Sequence, residues 1–177
     1  TTATNSFNTA IGHGAGLAAT TGIQNTLVGG LAGDALTDAD NNIAIGYGAL
    51  SNDTLGSTSI GIGVLALTEQ NFTTATNTHN IAIGFRAGEK VSTAEQSTFV
   101  GGLAGDAITT GNVNVALGYS ALSTATINAA NVAVGGLALA NMNNTTTANT
   151  FNTAVGYSAG LSVTTGTRNT IVGALAG

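Results

Sequence analysis

The hydrophobic residues of this chain recur in short runs at a nearly fixed spacing. Each run starts at Asn or Ser, continues mostly through Ala, Ile, Val or Thr, and is closed by Gly. It lies within one short motif that extends from Asn8 to Gly16 in its first copy. The ten copies of the motif start at Asn8, Asn25, Asn42, Ser59, Asn80, Ser97, Asn114, Asn131, Asn152 and Asn169. The common step in the numbering is 17, as from Asn8 to Asn25, and the two longer steps, from Ser59 to Asn80 and from Asn131 to Asn152, are 21. A fixed period of this kind is typical of a solenoid, in which each repeat stacks on its neighbours.

The residue types within the motif predict a short strand followed by a corner. We number the motif from its first Asn or Ser: position four is β-branched or Leu, position five is always Gly, and position eight is always Ala. β-Branched residues favour strands, and Gly accepts a positive φ or a close backbone approach. Asn at position one suits a turn into the strand, and stacked Asn side chains can form a ladder along the axis. The motif therefore predicts an all-β, parallel β-roll or β-solenoid of about ten stacked 17-residue coils, spaced about 4.8 Å apart. A helical repeat is disfavoured by the many Gly, Thr and Asn residues.

A longer period is superimposed on the coils. The residues at position nine follow the order Gly, Gly, Leu, Leu, which then repeats. Three 17-residue steps followed by one 21-residue step define a 72-residue super-repeat, from Asn8 to Asn80. Residues 1–177 are therefore predicted to form one repetitive domain, with super-repeats at 8–79 and 80–151 and a partial one at 152–177. The extra residues, within 68–77 and 140–149, are predicted to be surface bulges. The residue types at positions six and seven alternate between two kinds of coil. One turn of the solenoid could therefore contain either 17 or 34 residues, and we favour 17. We expect the chain to be a segment of a longer fibre.

Composition and charge narrow the classes of partner. Only 6% of the residues are charged, 43% are hydrophobic, Pro, Cys and Trp are absent, and the net charge is −5. No basic stripe exists, which argues against nucleic-acid binding. The longest apolar stretch, 132–140, is too short to span a membrane. Apolar residues occupy both faces of the predicted strand, so one face would stay exposed after the other fills the coil. Such a face usually marks an interface, which predicts lateral association of several chains.

Residues that could carry chemistry are few and dispersed. His13 occupies a position that is otherwise aromatic and is expected to pack, and His79 is expected to be solvated. Asp34, Asp38 and Asp40 form an acidic cluster without the glycine and terminal glutamate of a calcium loop. We expect Arg86, Glu89 and Lys90 to be a surface charge group worth little, and Gly29-Gly30 to be structural because no Gly-Lys-Ser/Thr follows. We therefore predict no catalytic, metal or cofactor site and no enzymatic activity.

One column of aromatic residues recurs in every second coil. Its members occupy position six and are His13, Tyr47, Phe85, Tyr119 and Tyr157. We expect packing in the core or at an interface. A sugar-binding surface is the alternative if the column is exposed.

The runs Asn42-Ile-Ala-Ile-Gly46 and Asn152-Thr-Ala-Val-Gly-Tyr-Ser-Ala-Gly160 resemble two groups of repeat proteins. These are the head repeats of trimeric autotransporter adhesins and, more closely, the Asn-Thr-Ala-Val-Gly-Tyr-x-Ala-Leu arrays of phage tail fibres. The resemblance covers residues 8–177. It implies a left-handed parallel β-roll, association of three chains around an axis, and an extracellular, cell-surface or virion location.

The leading hypothesis for function is a structural shaft or head segment of an adhesive fibre, built as a homotrimer. Its receptor would be bound through regions outside this segment. The alternative is a solenoid that binds a glycan or ice through a repetitive Thr or aromatic face. It is disfavoured because no regular Thr-x-Thr column recurs.

Overall fold

The computed structural model describes residues 6–146 and 149–177, and these form a parallel β-solenoid. The strands are β1 (Thr9–Ile11), β2 (Thr26–Val28), β3 (Ile43–Ile45), β4 (Gly56–Ser57), β5 (Ile60–Ile62), β6 (Thr76–Asn77), β7 (Ile81–Ile83), β8 (Thr98–Val100), β9 (Val115–Leu117), β10 (Val132–Val134), β11 (Thr153–Val155) and β12 (Thr170–Val172). Ten of them, one from each motif copy, form one sheet in chain order, while β4 and β6 pair separately. The predicted all-β parallel solenoid is confirmed.

The strand register fixes the length of a turn. Thr9 pairs with Thr26, so neighbouring strands of the main sheet are one 17-residue repeat apart. Across the first long step Ile60 pairs with Ile81, and the longer coil causes no change of register. A full turn is therefore one 17-residue repeat, as favoured from the sequence, and the alternative of a 34-residue turn is wrong.

Part of the bulge predicted within 68–77 lies on the surface. Residues 73–75 and Asn77 are exposed, whereas Gln70 and Phe72 are buried. In the second long coil Met142 is fully buried, and Thr145 and Thr146 are exposed. The prediction of a surface bulge within 140–149 falls in part on residues 147 and 148, which lie outside the described residues.

Side chains alternate between the two faces of each short strand, as the pleat requires. In the main sheet, position three points into the coil and is buried in every strand except the two terminal ones, β1 and β12. Positions two and four point outward and remain partly or largely exposed. The core adds the invariant Ala at position eight and residues such as Leu36, Val91 and Ile108 from the opposite side of the coil. The predicted separation into a filled interior and an uncovered apolar face is thus observed in the single chain.

The Gly, Gly, Leu, Leu order at position nine follows from the volume of the core. A Cβ at Gly33 would lie 2.8 Å from Cδ2 of Leu27, and one at Gly88 would lie 2.8 Å from Cδ2 of Phe99. In each pair of coils with Gly at position nine, one large residue at position three fills this space; these residues are Leu27, Phe99 and Ile171. Coils with Leu at position nine have Ala or Gly at position three, namely Ala44, Gly61, Ala116 and Ala133. Large core side chains therefore come from position three in one pair of coils and from position nine in the next pair, and this pattern repeats every four coils.

Position one forms the buried ladder that the sequence suggested. The side-chain oxygen of Asn25 accepts a hydrogen bond from the backbone N–H of Asn42 at 2.9 Å, and its Nδ2 donates to the carbonyl of Ala39 at 2.7 Å. The side-chain oxygens of the other Asn residues of the column, apart from Asn169 in the last coil, accept comparable bonds. These Asn residues thus satisfy backbone groups of the next coil, which would otherwise be buried without partners at a cost of about 1–3 kcal/mol each.

Positions seven and nine and the residue before position one have a positive φ even where they carry a side chain. Leu31 has φ 57°, Leu50 has φ 52° and the β-branched Val113 has φ 60°. Such residues cost about 1–3 kcal/mol each and persist only when the surroundings hold them. Here the N–H of each donates to a carbonyl of an adjacent coil, at 2.9, 3.0 and 3.0 Å respectively. The hydrogen bonds between stacked coils therefore hold these residues at a positive φ, which their side chains disfavour.

The corner glycine at position five is expected to tolerate no side chain. Gly46 has φ 129°, and a Cβ there would lie 2.5 Å from the carbonyl oxygen of Gly63 in the next coil. We predict that Gly46→Ala lowers the free energy of unfolding by about 3 kcal/mol or more, from strain and overpacking together. The matched control is Gly30→Ala, whose Cβ would come closest to the movable ring of Tyr47, at 3.3 Å. It should cost less than about 1 kcal/mol, and equal losses in urea unfolding would contradict this account of the corner.

Because positions three and nine fill the same space in the core, a pair of substitutions at the two positions should offset each other's effect on stability. Gly105→Leu should clash with the Phe99 ring, which already occupies the place of a Cβ at Gly105, and Phe99→Ala should leave a cavity worth about 3–5 kcal/mol. The double variant restores the Ala-and-Leu combination found in coils such as that of Ala116 and Leu122. We expect it to be more stable than either single variant in thermal unfolding. Additive losses would show that the two positions do not share one space.

Candidate functional site

The outward residues of the main sheet form one continuous uncharged surface, which we call the outer face. It consists of positions two and four of the ten strands, and each of its twenty residues is Thr, Ile, Val or Leu. Residues near its middle, such as Ile45 and Ile83, remain 36% and 38% exposed. None of the 3 basic and 8 acidic residues of the chain lies on it. The charges are placed around the rest of the coil, so the outer face differs chemically from the remaining surface.

The aromatic column lies beside the outer face, just past the corner glycines. Tyr47, Phe85, Tyr119 and Tyr157 are between 54% and 62% exposed, and His13 is also exposed. The expectation that these residues pack in the core is wrong for the single chain, because position six lies on the same outward side as positions two and four. Packing at an interface between chains stays a prediction.

Small residues of the intervening coils receive the rings. A Cβ at Gly102 would lie 3.6 Å from Cδ2 of Tyr119, and one at Gly136 would lie 3.6 Å from Cδ2 of Tyr157. Each ring therefore leans over the glycine of the coil before it. The alternation of positions six and seven noted in the sequence thus creates a shallow seat for each Tyr ring.

A hydroxyl ladder that sequence analysis missed runs along the opposite side of the coil. The Oγ1 atoms of Thr20, Thr37 and Thr109 donate to backbone carbonyls of the next coil at 3.1 Å each. The signal was available, because the equivalent positions of successive coils here are Thr, Ser or Asn, yet no Thr-x-Thr pattern marks it. Since these hydroxyl protons are used between coils, the ladder stabilises the stack rather than presenting a free array of donors.

The acidic cluster does not converge on a shared point. Asp38 Oδ1 accepts from Thr21 Oγ1 at 2.6 Å, and Asp40 Oδ1 accepts from the N–H of Ile23 at 2.7 Å. Asp34 Oδ1 is buried without a hydrogen-bond partner. Among the described residues no three His, Cys, Asp or Glu side chains are grouped so that they could hold a metal ion.

The charge group around Arg86 is more buried than expected. Arg86 contacts Glu89 Oε2 through Nε and Nη2, at 2.7 Å in each case, and Glu89 is only 8% exposed. Asp106, one coil further on, has a buried Oδ1 without a partner, as does Asp34 one super-repeat earlier. Burial raises the pKa of the Asp106 carboxyl above its ordinary value; its own backbone N–H partly opposes the rise, and Glu89 adds to it. The prediction of a purely superficial charge group is therefore wrong for Glu89.

The remaining sequence candidates have structural roles. His79 Nδ1 lies 3.3 Å from Thr58 Oγ1 at the exposed edge of the long coil. Gly29 has φ 135°, and a Cβ there would strike the backbone of Gly46. This close approach explains Gly29, whereas Gly30 lies under the Tyr47 ring.

A buried polar cluster inside the first long coil was not anticipated. Asp53 is fully buried and accepts hydrogen bonds from the N–H groups of Gly56 and Phe72 and from Gln70 Nε2. Gln70 Oε1 in turn accepts from Asn80 Nδ2 at 3.0 Å. One super-repeat later, Ala125 and Met142 take the places of Asp53 and Gln70. The cluster thus places polar side chains, with their hydrogen bonds satisfied, where the next super-repeat has apolar core residues.

In comparisons with known proteins, no family model matches the chain, and neither a curated protein nor a solved structure matches it. The parallel solenoid is compatible with a repeat array such as those the sequence resembles. Within the described residues, no helix has the length and apolar character needed to cross a membrane.

The Asp106 carboxyl yields a pH-dependent prediction. Because its pKa is raised on folding, the folded state binds the proton more readily, so the charged form destabilises the fold at neutral pH. This penalty disappears as the pH falls through the raised pKa and below the unfolded value. Asp106→Asn should therefore stabilise the protein at pH 7, by less than about 1 kcal/mol since the residue is only partly buried. The gain should vanish near about pH 3.

The control is Asp38→Asn, which alters an exposed carboxylate. Urea unfolding at both pH values would measure the two variants. A loss of stability for Asp106→Asn at neutral pH would show that burial does not dominate at this carboxyl.

Proposed function

We propose that this chain is a structural segment of an extracellular, cell-surface or virion adhesive fibre, in which identical chains associate laterally through the outer face. The observation that carries the proposal is the uncharged, mostly β-branched outer face that runs the length of the solenoid. No catalysis is assigned to the segment.

The size of the outer face supports an interface. Ten strands spaced about 4.8 Å apart and three residues wide give a strip of about 48 Å by 10 Å, on the order of 500 Å². Exposed apolar patches of this size on monomers are often functional. The placement of every charged residue off the strip adds to the argument, because charged residues are depleted at the centres of protein interfaces.

The regularity of the strip favours a second copy of the same chain as the partner. A partner with the same coil spacing can match the strip along its whole length. The resemblance to trimeric autotransporter heads and phage tail-fibre arrays supports three as the number of chains. In a solenoid each repeat contacts only its neighbours, so adding super-repeats lengthens the rod without altering its cross-section, which suits a spacer in a fibre.

A charge placed on the outer face tests the proposal. Ile83→Lys introduces an ammonium at the middle of the strip, where assembly would bury it at a cost of several kcal/mol. We expect wild-type protein to show three times the 17.2 kDa of one chain in light scattering, and Ile83→Lys to show the mass of a single chain. Circular dichroism would check that the variant is folded.

The matched control is Thr93→Lys, an exposed position away from the outer face. Its mass should equal that of the wild type. A folded wild-type monomer at micromolar concentration, or equal effects of the two lysines, would overturn association through the outer face.

A further inference from the structure

We propose that the aromatic column binds an extended, uncharged β-1,4-linked polysaccharide that lies along the solenoid axis. This inference deepens the adhesive role proposed above, because it names the class of receptor and the residues that would contact it. It requires that the column stay exposed when chains associate through the outer face.

The spacing of the rings makes each one a separate platform. They occur in every second coil, so neighbouring rings are about 9.6 Å apart along the axis. Aromatic rings pair at centroid distances of about 4.5–7 Å, and the column is therefore too open for its members to pair with one another. More than half of Tyr47, Tyr119 and Tyr157 remains exposed although each leans on its glycine seat. A ring that leans on the preceding coil offers a flat surface, which suits a flat ligand.

The geometry of an extended β-1,4-linked chain fits such a row. The C–H groups of a pyranose form an apolar face that packs on an aromatic ring. Successive sugars in this chain are turned by half a revolution, so every second sugar shows the same face to a surface. The length of one sugar along the polysaccharide is about the spacing between neighbouring coils along the axis. Every second sugar would therefore meet a ring. An α-1,4-linked chain curls and cannot keep this match.

The charges near the column favour an uncharged ligand. The chain carries a net charge of −5, which disfavours a polyanion. The described cation that contacts the column is Arg86, which lies 5.9 Å from the centre of the Phe85 ring and is already paired with Glu89. Its remaining N–H groups and the Tyr hydroxyls can donate to sugar hydroxyls.

The chain supplies its own optical probe for the test. All three Tyr residues lie in the column and Trp is absent, so Tyr fluorescence reports on this site alone. We expect cellohexaose and chitohexaose to change the emission and to bind in calorimetry, and maltohexaose to do neither. No response to the β-linked hexamers, or an equal response to maltohexaose, would overturn the proposal.

Ring removal locates the site. Tyr119→Ala should weaken cellohexaose binding by about tenfold, which corresponds to about 1.4 kcal/mol, and removal of all three Tyr rings should abolish it. Phe151→Ala is the matched control, because Phe151 is a 48% exposed aromatic residue outside the column. Equal effects of Tyr119→Ala and Phe151→Ala would overturn the assignment.

Light scattering on the same samples separates this proposal from that of lateral assembly. Unchanged mass with lost sugar binding in Tyr119→Ala supports the column as the binding site. Trimeric wild-type protein that ignores the β-linked hexamers would overturn the glycan proposal and leave the fibre proposal standing. A monomeric wild-type protein that binds the β-linked hexamers would overturn the fibre proposal and leave the glycan proposal standing.

Discussion

The structure depends on the direct contact between successive backbones at one strand spacing. At the corner glycines the approach is so close that a Cβ at Gly46 would enter the carbonyl of Gly63. The same spacing aligns the Asn side chains of position one with backbone groups of the next coil. It also provides the hydrogen bonds that hold residues such as Val113 at a positive φ. A change in this spacing would therefore disturb the corner, the ladder and the strained turns together.

Stacking of this kind determines which surfaces remain for function. The interior of each short coil is thin and is filled by Ala with a few larger residues such as Phe99 and Ile108. The stack therefore repeats its surface residues as columns of equivalent side chains along the axis. The outer face and the aromatic column are two such columns, and they border each other across the corner glycines.

The buried polar cluster shows how much variation the coil tolerates. Asp53 and Gln70 occupy places where the next super-repeat has Ala125 and Met142, and the strands around both pairs keep the same register. Asp53 is accommodated because three donors surround its side-chain oxygens, and buried polar groups require such hydrogen bonds. The frame of backbone hydrogen bonds thus fixes the fold, and the core adapts to it locally.

The sequence by itself determined the period, the strand at each motif copy, the corner glycine, the Asn ladder and the presence of an uncovered apolar face. These are local or strictly periodic properties, and one repeat predicts the next. Only the tertiary structure decided that one turn holds a single repeat, since the two-coil alternation also allowed a turn of two repeats. It also showed that the rings of Tyr47 and its equivalents are exposed, because a ring at a corner can lean inward or outward with the same residue pattern. The exchange of volume between Phe99 and Gly105 and the burial of Glu89 depend on contacts between coils, which no single repeat contains.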